Sequence, residues 1–346
     1  MKLENIIGQL FIIGFRGSSI DADHPIAVDI RERNLGGVIL FDRLLAKSEN
    51  QNNVINPGQL KQLTSSLQQQ SSSPLLVAVD QEGGKVRRLK PERGFPATVS
   101  AAQLGHNNDP MLTALHASCT AQTLARLGIN FNLAPVVDLN TFPENPVIGR
   151  LERSFSADPN CVICHAETWI TEHKRQKVIS CLKHFPGHGS SRNDSHLGFT
   201  DISSSWQKEE LVPFAELIQR DNGNLVDSVM LGHLFHQSFD KEFPTSLSRA
   251  VCRDLLRNQL GFKGVTITDD LQMKAITDQY GLEESVCHAL AAGVDMIIIG
   301  NNLEYDPGFL QRAIAAVLIA VTENKISEDR ILEAWLHITA MKNFLD

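Results

Sequence analysis

Short apolar runs recur along the chain, and amphipathic segments separate them. The runs are rich in β-branched and aromatic residues, which favour strands, and several are apolar at consecutive positions. A strand that is apolar on both faces is typical of a parallel sheet covered by helices on both sides. The predicted strands lie at residues 9–15, 36–41, 75–80, 130–139, 178–185, 228–235, 264–270 and 295–302.

Amphipathic segments between the predicted strands have the spacing of helices. Residues 248–261, for example, carry apolar side chains at helical intervals and end at Gly261, a residue type that commonly ends helices. Alternating strand and helix units over residues 1–346 predict an α/β protein built as a single (β/α)8 barrel, with no second domain. A doubly wound open sheet is the alternative, but no G-x-G-x-x-G motif follows the first predicted strand.

The charge balance and the length of the apolar runs argue against two classes of partner. The chain has 32 Lys and Arg against 40 Asp and Glu, a net charge of -8, which disfavours a nucleic-acid surface. Apolar runs stay below the roughly 18 to 20 residues that span a bilayer, so we expect no membrane insertion. The N-terminal stretch lacks the pattern of a secretory signal, and the cysteines fit reduced thiols. We therefore expect a cytoplasmic protein.

Charged residues follow the third predicted strand directly. In a (β/α)8 barrel the active site forms where strands end and the next loops begin. Asp80 and Glu82 lie at this position, two glycines follow, and Arg88 lies just beyond them. A carboxylate with a nearby guanidinium suits the binding of sugar hydroxyl groups. A turn closed by an exposed salt bridge would use the same residues, and both interpretations stay open for this segment.

Two adjacent carboxylates follow the seventh predicted strand. Asp269 lies at the strand end, where its side chain would face the barrel mouth. Asp270 is predicted to be the N-cap of a helix that begins at Leu271. A carboxylate held by a rigid strand can attack the anomeric carbon of a sugar and form a covalent intermediate. The position of Asp269 therefore suits a nucleophile.

The segment KHFPGHGSSRNDSH, residues 183–196, concentrates polar chemistry in fourteen residues. A metal site could use His184, His188, Asp194 and His196 as ligands. However, an H-x3-H pair shares one face only on a helix, and a proline and a glycine interrupt this pair. The alternative is an acid/base pair, because Asp194 is close enough in sequence to orient the imidazole of His196 and raise its proton affinity.

These motifs together resemble glycoside hydrolase family 3. The match rests on KHFPGHG followed by DSH, with VDQEGG upstream and TDD downstream, and it runs from the first predicted strand to about the last. The spacing is most similar to the single-domain bacterial β-N-acetylglucosaminidases of that family. The resemblance implies a barrel enzyme that hydrolyses terminal β-linked N-acetylglucosamine in two steps, with retention of configuration.

The resemblance also implies roles for particular residues. It assigns the nucleophile to Asp269, the acid/base to His196 and the partner of that histidine to Asp194. The residues that it places against the sugar are Asp80, Arg88, Lys183 and His184. A further arginine is expected in NPVIGRLERSF, where this chain is about two residues longer than the family pattern. The match falls on Arg153, with Arg150 as the competing candidate.

We therefore expect an exo-acting β-N-acetylglucosaminidase with neither metal nor organic cofactor. The family suggests a role in cell-wall (peptidoglycan) recycling, with a small carbohydrate or muropeptide as substrate. The alternatives are a β-glycosidase with another sugar preference, a phosphorylase of the same family, a metal-dependent hydrolase, and a sugar-binding barrel without catalysis. A pure binding protein has no need for both a nucleophile and an acid/base.

Overall fold

The structure is a computed structural model that describes residues 2–195 and 197–345. Over these residues a closed barrel of parallel strands forms, which confirms the predicted (β/α)8 fold. Each strand pairs with its neighbours in chain order, and the last strand pairs with the first. The strands are β1 (Phe11–Gly14), β2 (Gly37–Leu40), β3 (Leu76–Val79), β4 (Phe131–Asn132), β5 (Ile179–Phe185), β6 (Ser228–Leu231), β7 (Val265–Asp270) and β8 (Met296–Ile299).

The fourth strand is shorter than the predicted run at 130–139. Pro135 has no N–H group to donate to a strand ladder, so regular pairing ends at Asn132. The chain then follows β5 irregularly, and the amide of Val137 donates to the carbonyl of Lys183 at 2.9 Å. This bond places Asp138, the next residue, beside the end of β5.

Helices cover the barrel and alternate with its strands. Several begin with a side chain that accepts a hydrogen bond from the first turn, as Asp109 and Asp158 do for the amides of Met111 and Asn160. Prolines occupy the first turn of some of these helices, where a missing N–H has no cost. The helices span Leu3–Gly8, Pro25–Glu32, Pro57–Gln70, Ala101–Asn107, Pro110–Arg126, Pro159–Arg175, Val212–Gln219, Ala250–Gln259, Lys274–Thr277, Leu282–Ala292, Phe309–Thr322 and Glu328–Lys342.

The helix predicted at residues 248–261 is present but is wound more widely than expected. It spans Ala250–Gln259 with the π-helical hydrogen-bonding pattern, and the amide of Leu260 donates to the carbonyl of Leu255. Gly261 follows with a φ of +75°, the left-handed conformation that commonly ends a helix. None of the helices in the described part of the chain combines the length and the apolar character needed to cross a bilayer.

The barrel closes where β1 meets the end of β8, and the backbones approach closely there. A Cβ atom built on Gly14 would lie 1.7 Å from the carbonyl oxygen of Gly300, well inside van der Waals contact. Glycine is therefore required at this seam by the space available. Elsewhere on the molecule Gly58 lies exposed in the first turn of a helix, and its Cβ would meet only the side chain of Asn56 at 3.5 Å.

We predict that Gly14→Ala destabilises the protein by about 3 kcal/mol or more, because the added methyl group forces the closing strands apart. Gly58→Ala is the matched control. It should stabilise the protein by about 0.4–1 kcal/mol, because alanine lowers the conformational entropy of the unfolded chain. Urea unfolding of both variants measures the two effects. Equal stability of Gly14→Ala and the wild type would contradict the close approach at the seam.

His173 is a second structural feature with a measurable consequence. It is fully buried on the helix Pro159–Arg175, where Nδ1 contacts the carbonyl of Trp169 at 2.9 Å and Nε2 contacts the side-chain amide nitrogen of Asn132, in β4, at 3.0 Å. Burial lowers the pKa of His173 to about 4. The folded protein therefore keeps this ring neutral at pH values where the unfolded chain takes up a proton.

We predict that His173 lowers the stability of the fold as the pH falls from about 6.5 to about 4, because protons then bind the unfolded chain more strongly than the folded one. His173→Gln should flatten the slope of unfolding free energy against pH in that window, by up to about 3 kcal/mol in total. Urea unfolding of the wild type and of His173→Gln at a series of pH values measures the two slopes, and equal slopes would contradict the prediction.

Candidate active site

A cavity of about 380 Å³ opens at the end of the barrel where the strands finish. Its size suits a small ligand. Apolar walls come from Phe41, Leu133, Met230, Met273 and Ile298. The ionisable residues that line it come from five different strand ends or the loops after them: Asp42, Arg43, Asp80, Glu82, Lys85, Arg88, Arg153, Lys183, His184, Asp269 and Asp270.

Lys183 lies at the centre of the charged wall. It projects from β5, its side chain is only 2% exposed, and its ammonium group lies 2.9 Å from Asp80 and 2.7 Å from Glu82. Burial by itself would lower the pKa of this lysine, but the two carboxylates outweigh that effect and raise it. Lys183 is therefore a permanent cation that joins the end of β5 to the segment after β3.

Two arginines also form ion pairs with Asp80 and Glu82. Arg88 donates to the free oxygen of Asp80 at 2.9 Å, and Arg153 grips Glu82 with two bonds of 2.7 and 2.8 Å. Burial would raise the pKa of both carboxyl groups. The charges of Lys183 and Arg88 hold the pKa of Asp80 well below its usual range, and Arg153 and Lys183 do the same for Glu82.

The structure separates the two candidate arginines of the NPVIGRLERSF segment. Arg153 lines the cavity, where its side chain is 10% exposed. Arg150 instead points to the surface and pairs with Glu144 at 2.9 Å, with both side chains more than 60% exposed. A residue that is mostly in water cannot contact a ligand inside the barrel, so Arg153 is the arginine of the cavity.

The imidazole of His184 lies between the carboxylate of Asp138 and the guanidinium of Arg153. Its Nδ1 lies 2.7 Å from a carboxylate oxygen of Asp138, and its Nε2 lies 3.2 Å from the guanidinium of Arg153. Asp138 is fully buried and also accepts the backbone amides of His184 and His188. Burial would raise its pKa, but His184 and these hydrogen bonds lower it. The imidazole is thus fixed in orientation at the cavity wall.

The two aspartates at the end of β7 have different surroundings. Asp269 lines the cavity, and one of its oxygens accepts the amide of Asp270 at 2.8 Å. The prediction that Asp270 caps a helix beginning at Leu271 is wrong, because β7 runs through Asp270 and the next helix begins only at Lys274. Asp270 instead accepts the amides of Gln272 and Gly300, at 3.0 and 2.9 Å, and so ties the end of β7 to the loop after β8.

Asp194, one member of the predicted acid/base pair, lies on the loop after β5. His196 is outside the described residues, whereas Asp194 is half-buried on the loop and its carbonyl accepts the amide of Leu197. The start of the loop is anchored by Glu210, which accepts the amides of Gly189 and Ser190 at 3.1 and 3.3 Å. At the other end, residues 200–202 pair with Phe235. Both ends of the segment that carries Asp194 are therefore held by hydrogen bonds.

The alternative interpretation of the same segment is a metal site with its histidines and Asp194 as ligands. Within residues 2–195 and 197–345, no group of three or more His, Cys, Asp or Glu side chains is arranged to hold a metal ion. His184 is engaged by Asp138 and Arg153, and Nε2 of His188 lies 3.3 Å from the hydroxyl of Ser195. Burial and the neighbouring His184 lower the pKa of His188 to about 4.

Sequence reasoning does not single out Asp138, and it places Glu82 at the rim without a role. Both are buried and both hold residues that were predicted to contact the sugar. A signal for Asp138 is present in the sequence, because it follows the fourth apolar run as Asp80 and Asp269 follow theirs. Applying the strand-end rule to every strand would have identified it.

Comparison with known proteins agrees with this barrel and its cavity. Residues 2–341 match the family described as "Glycosyl hydrolase family 3 N terminal domain". The chain belongs to glycosyl hydrolase family 3. This membership confirms the predicted family. A family 3 β-N-acetylglucosaminidase from Paenibacillus sp. strain FPU-7 superposes with a TM-score of 0.89 and 33% identity, covering 100% of this chain and 63% of that one.

Curated relatives in family 3 differ in length. Beta-hexosaminidase A from Pseudoalteromonas piscicida is 32% identical over 339 residues, which are 91% of this chain and 54% of that protein. The chain therefore spans about half of that relative. Beta-hexosaminidase from Tolumonas auensis is 35% identical over 298 residues, which are 84% of this chain and 82% of that protein.

We predict that Arg153→Met destabilises the protein by about 3–5 kcal/mol, because it leaves the buried Glu82 with half of its counter-charge. Arg150→Met is the matched control from the same segment. Its pair with Glu144 is exposed to water, so its loss should leave the unfolding midpoint unchanged. Urea unfolding of the two variants makes the comparison. A similar loss in both would contradict the assignment of Arg153 to the cavity.

Proposed function

We propose that the protein is a retaining, exo-acting β-N-acetylglucosaminidase that releases terminal β-linked N-acetylglucosamine. The observation that supports this most directly is the position of Asp269 at the end of β7, in the same cavity as the ion-paired Asp80, Arg88 and Lys183. A nucleophile and a polar wall of this kind suit attack on a bound sugar. The names of the relatives support N-acetylglucosamine as that sugar.

In the proposed reaction Asp269 attacks the anomeric carbon as the bond to the leaving oxygen breaks, and His196 gives its proton to that oxygen. A glycosyl ester of Asp269 results. His196 then takes a proton from water, which attacks the anomeric carbon and releases the Asp269 carboxylate. Two displacements at one carbon retain its configuration. Asp194 orients His196 and stabilises its protonated form.

The charged wall would bind the sugar in both steps. Asp80, Arg88, Arg153, Lys183 and His184 are the proposed contacts with the sugar hydroxyl and acetamido groups. Ion pairs with one another, with Glu82 and with Asp138 fix these side chains before the sugar arrives, so little ordering remains to be done on binding. The charged wall contains two carboxylates, Asp80 and Glu82, and three cations, Arg88, Arg153 and Lys183. The buried Asp138 behind it supplies a third carboxylate. The wall therefore presents strong hydrogen-bonding groups without a large net charge.

We further propose a cytoplasmic role in cell-wall recycling, in which the enzyme takes a small carbohydrate or muropeptide that ends in N-acetylglucosamine. This proposal rests on the family resemblance of the motifs that carry Asp269 and the Asp194 loop. The chemistry needs no metal or organic cofactor, because a carboxylate nucleophile and an imidazole acid/base supply both proton and electron-pair transfers.

The first experiment compares nitrophenol release from an aryl β-N-acetylglucosaminide and from the matching aryl β-glucoside, with chelator present. We expect a strong preference for the acetamido sugar and no effect of the chelator. Repeating the assay with added phosphate separates hydrolysis from phosphorolysis, since only a phosphorylase would produce the sugar phosphate. Equal rates on both glycosides would overturn the proposed sugar, and no turnover of either would overturn the proposed enzyme.

We predict that Asp269→Asn lowers kcat by about 10⁴-fold or more, since the amide cannot form the glycosyl ester. Asp270→Asn is the matched control on the adjacent residue. Its amide oxygen can still accept the amides of Gln272 and Gly300, so we expect a loss of less than about tenfold. Steady-state assays on the aryl glycoside measure both variants. The reverse order of effects would move the nucleophile to Asp270.

A further inference from the structure

Asp138 lies behind the sugar-facing wall, at a position that the proposed mechanism leaves without a role. It is fully buried, and it accepts three hydrogen bonds from one short segment. One oxygen takes the backbone amides of His184 and His188, at 3.0 and 2.8 Å, and the other lies 2.7 Å from Nδ1 of His184. Both carboxylate oxygens are therefore satisfied by hydrogen bonds from the end of β5 and the residues that follow it.

The neighbours of His184 determine which ring nitrogen carries the proton. An ionised carboxylate only accepts hydrogen bonds, so Nδ1 must carry a hydrogen to bond with Asp138. A guanidinium only donates, so Nε2 must present a lone pair to Arg153 at 3.2 Å. Both contacts require the same neutral tautomer, with the proton on Nδ1. A hydrogen on Nε2 would place two donors against each other.

This tautomer links the sugar wall in a chain of hydrogen bonds. Asp138 accepts from His184, His184 accepts from Arg153, and Arg153 donates two bonds to Glu82. Asp138 also holds the amide of His188, at the start of the loop that carries Asp194. Asp138 therefore contacts both His184, which accepts from Arg153 in the cavity wall, and His188, at the start of the loop that carries Asp194.

We propose that Asp138 is a positioning residue that keeps His184 in the Nδ1–H tautomer, so that Nε2 orients the guanidinium of Arg153 at the sugar. The inference rests on the proposed function only for the identity of the ligand. Nε2 of His184 is then an acceptor, so His184 acts on the sugar through Arg153 or accepts a hydrogen bond from a sugar hydroxyl group. It does not donate to the sugar from Nε2.

Asp138→Asn tests the proposal with little change in shape. The new amide oxygen can still accept the backbone amides of His184 and His188, but its NH2 group faces Nδ1 and donates to it. The ring must then move its proton to Nε2, against Arg153. We expect kcat/KM to fall by about 10- to 100-fold, mainly through a higher KM, because a supporting partner of a binding residue is lost.

The decisive readout is the ¹⁵N spectrum of the imidazole nitrogens in histidine-labelled protein, with His184 assigned by its loss in His184→Gln. The wild type should show the proton of His184 on Nδ1, and Asp138→Asn should show it on Nε2. A merely structural role of Asp138 would leave the tautomer unchanged. Wild-type protein with the proton on Nε2 would overturn the proposal, even if Asp138→Asn failed to fold.

Glu210→Gln is the matched control. Glu210 is also buried and also accepts amides at the start of the loop, from Gly189 and Ser190, but it does not contact His184. We expect this variant to keep the proton of His184 on Nδ1. A shift to Nε2 in Glu210→Gln would overturn the specific role of Asp138.

The tautomer measurement needs no turnover, so the two proposals fail separately. Absence of activity on every aryl glycoside, with His184 protonated on Nδ1, would overturn the proposed function and leave the role of Asp138 in place. Normal activity and an unchanged KM in Asp138→Asn, with the proton moved to Nε2, would show that the tautomer does not position Arg153 and would overturn the proposal.

Discussion

The architecture of the cavity depends on the buried ammonium group of Lys183. A cation removed from water is costly unless carboxylates and hydrogen bonds compensate it fully. Asp80 and Glu82 provide that compensation, and each of them then needs its own second partner, Arg88 or Arg153. The requirement to pair one buried charge thus organises the ends of β3 and β5 into a single rigid wall.

The barrel makes this wall possible because its strands end at fixed positions. Neighbouring strands in the sheet are held at constant spacing by their ladders, so residues distant in sequence meet at the same rim with little freedom. Asp269 reaches the same cavity from β7, on a strand whose end Asp270 ties to the loop after β8. The loop that carries Asp194 is held by hydrogen bonds at both ends, and between them the carbonyl of Ser195 accepts the amide of Ala275 at 3.3 Å.

Behind the cavity, hydrogen bonds rather than ion pairs set the orientation of the polar groups. Asp138 and Glu210 are both buried, and each accepts amides from the chain that leaves β5, from His188 and Gly189 respectively. Because these carboxylates only accept, they determine which neighbouring atoms must donate. The proposed tautomer of His184 is therefore set by Asp138, which does not line the cavity.

Much of this protein follows from the sequence alone. The repeated apolar runs predicted the barrel, since strands buried on both faces need helices around them. The strand-end rule located Asp80, Lys183, His184 and Asp269, because their positions depend only on where each strand stops. The family motifs added a chemical role for each of them.

Only the tertiary structure decided which partners these residues take. Arg150 and Arg153 look alike in sequence, and they differ because one points to water and the other to Glu82. Asp270 looks like a helix cap, yet β7 continues through it and Gly300 supplies one of its partners from another strand end. Contacts of this kind join residues that are far apart in the chain. Local sequence therefore determines which strand or helix forms and where a side chain lies along it, whereas the packing of the barrel determines which partner that side chain contacts.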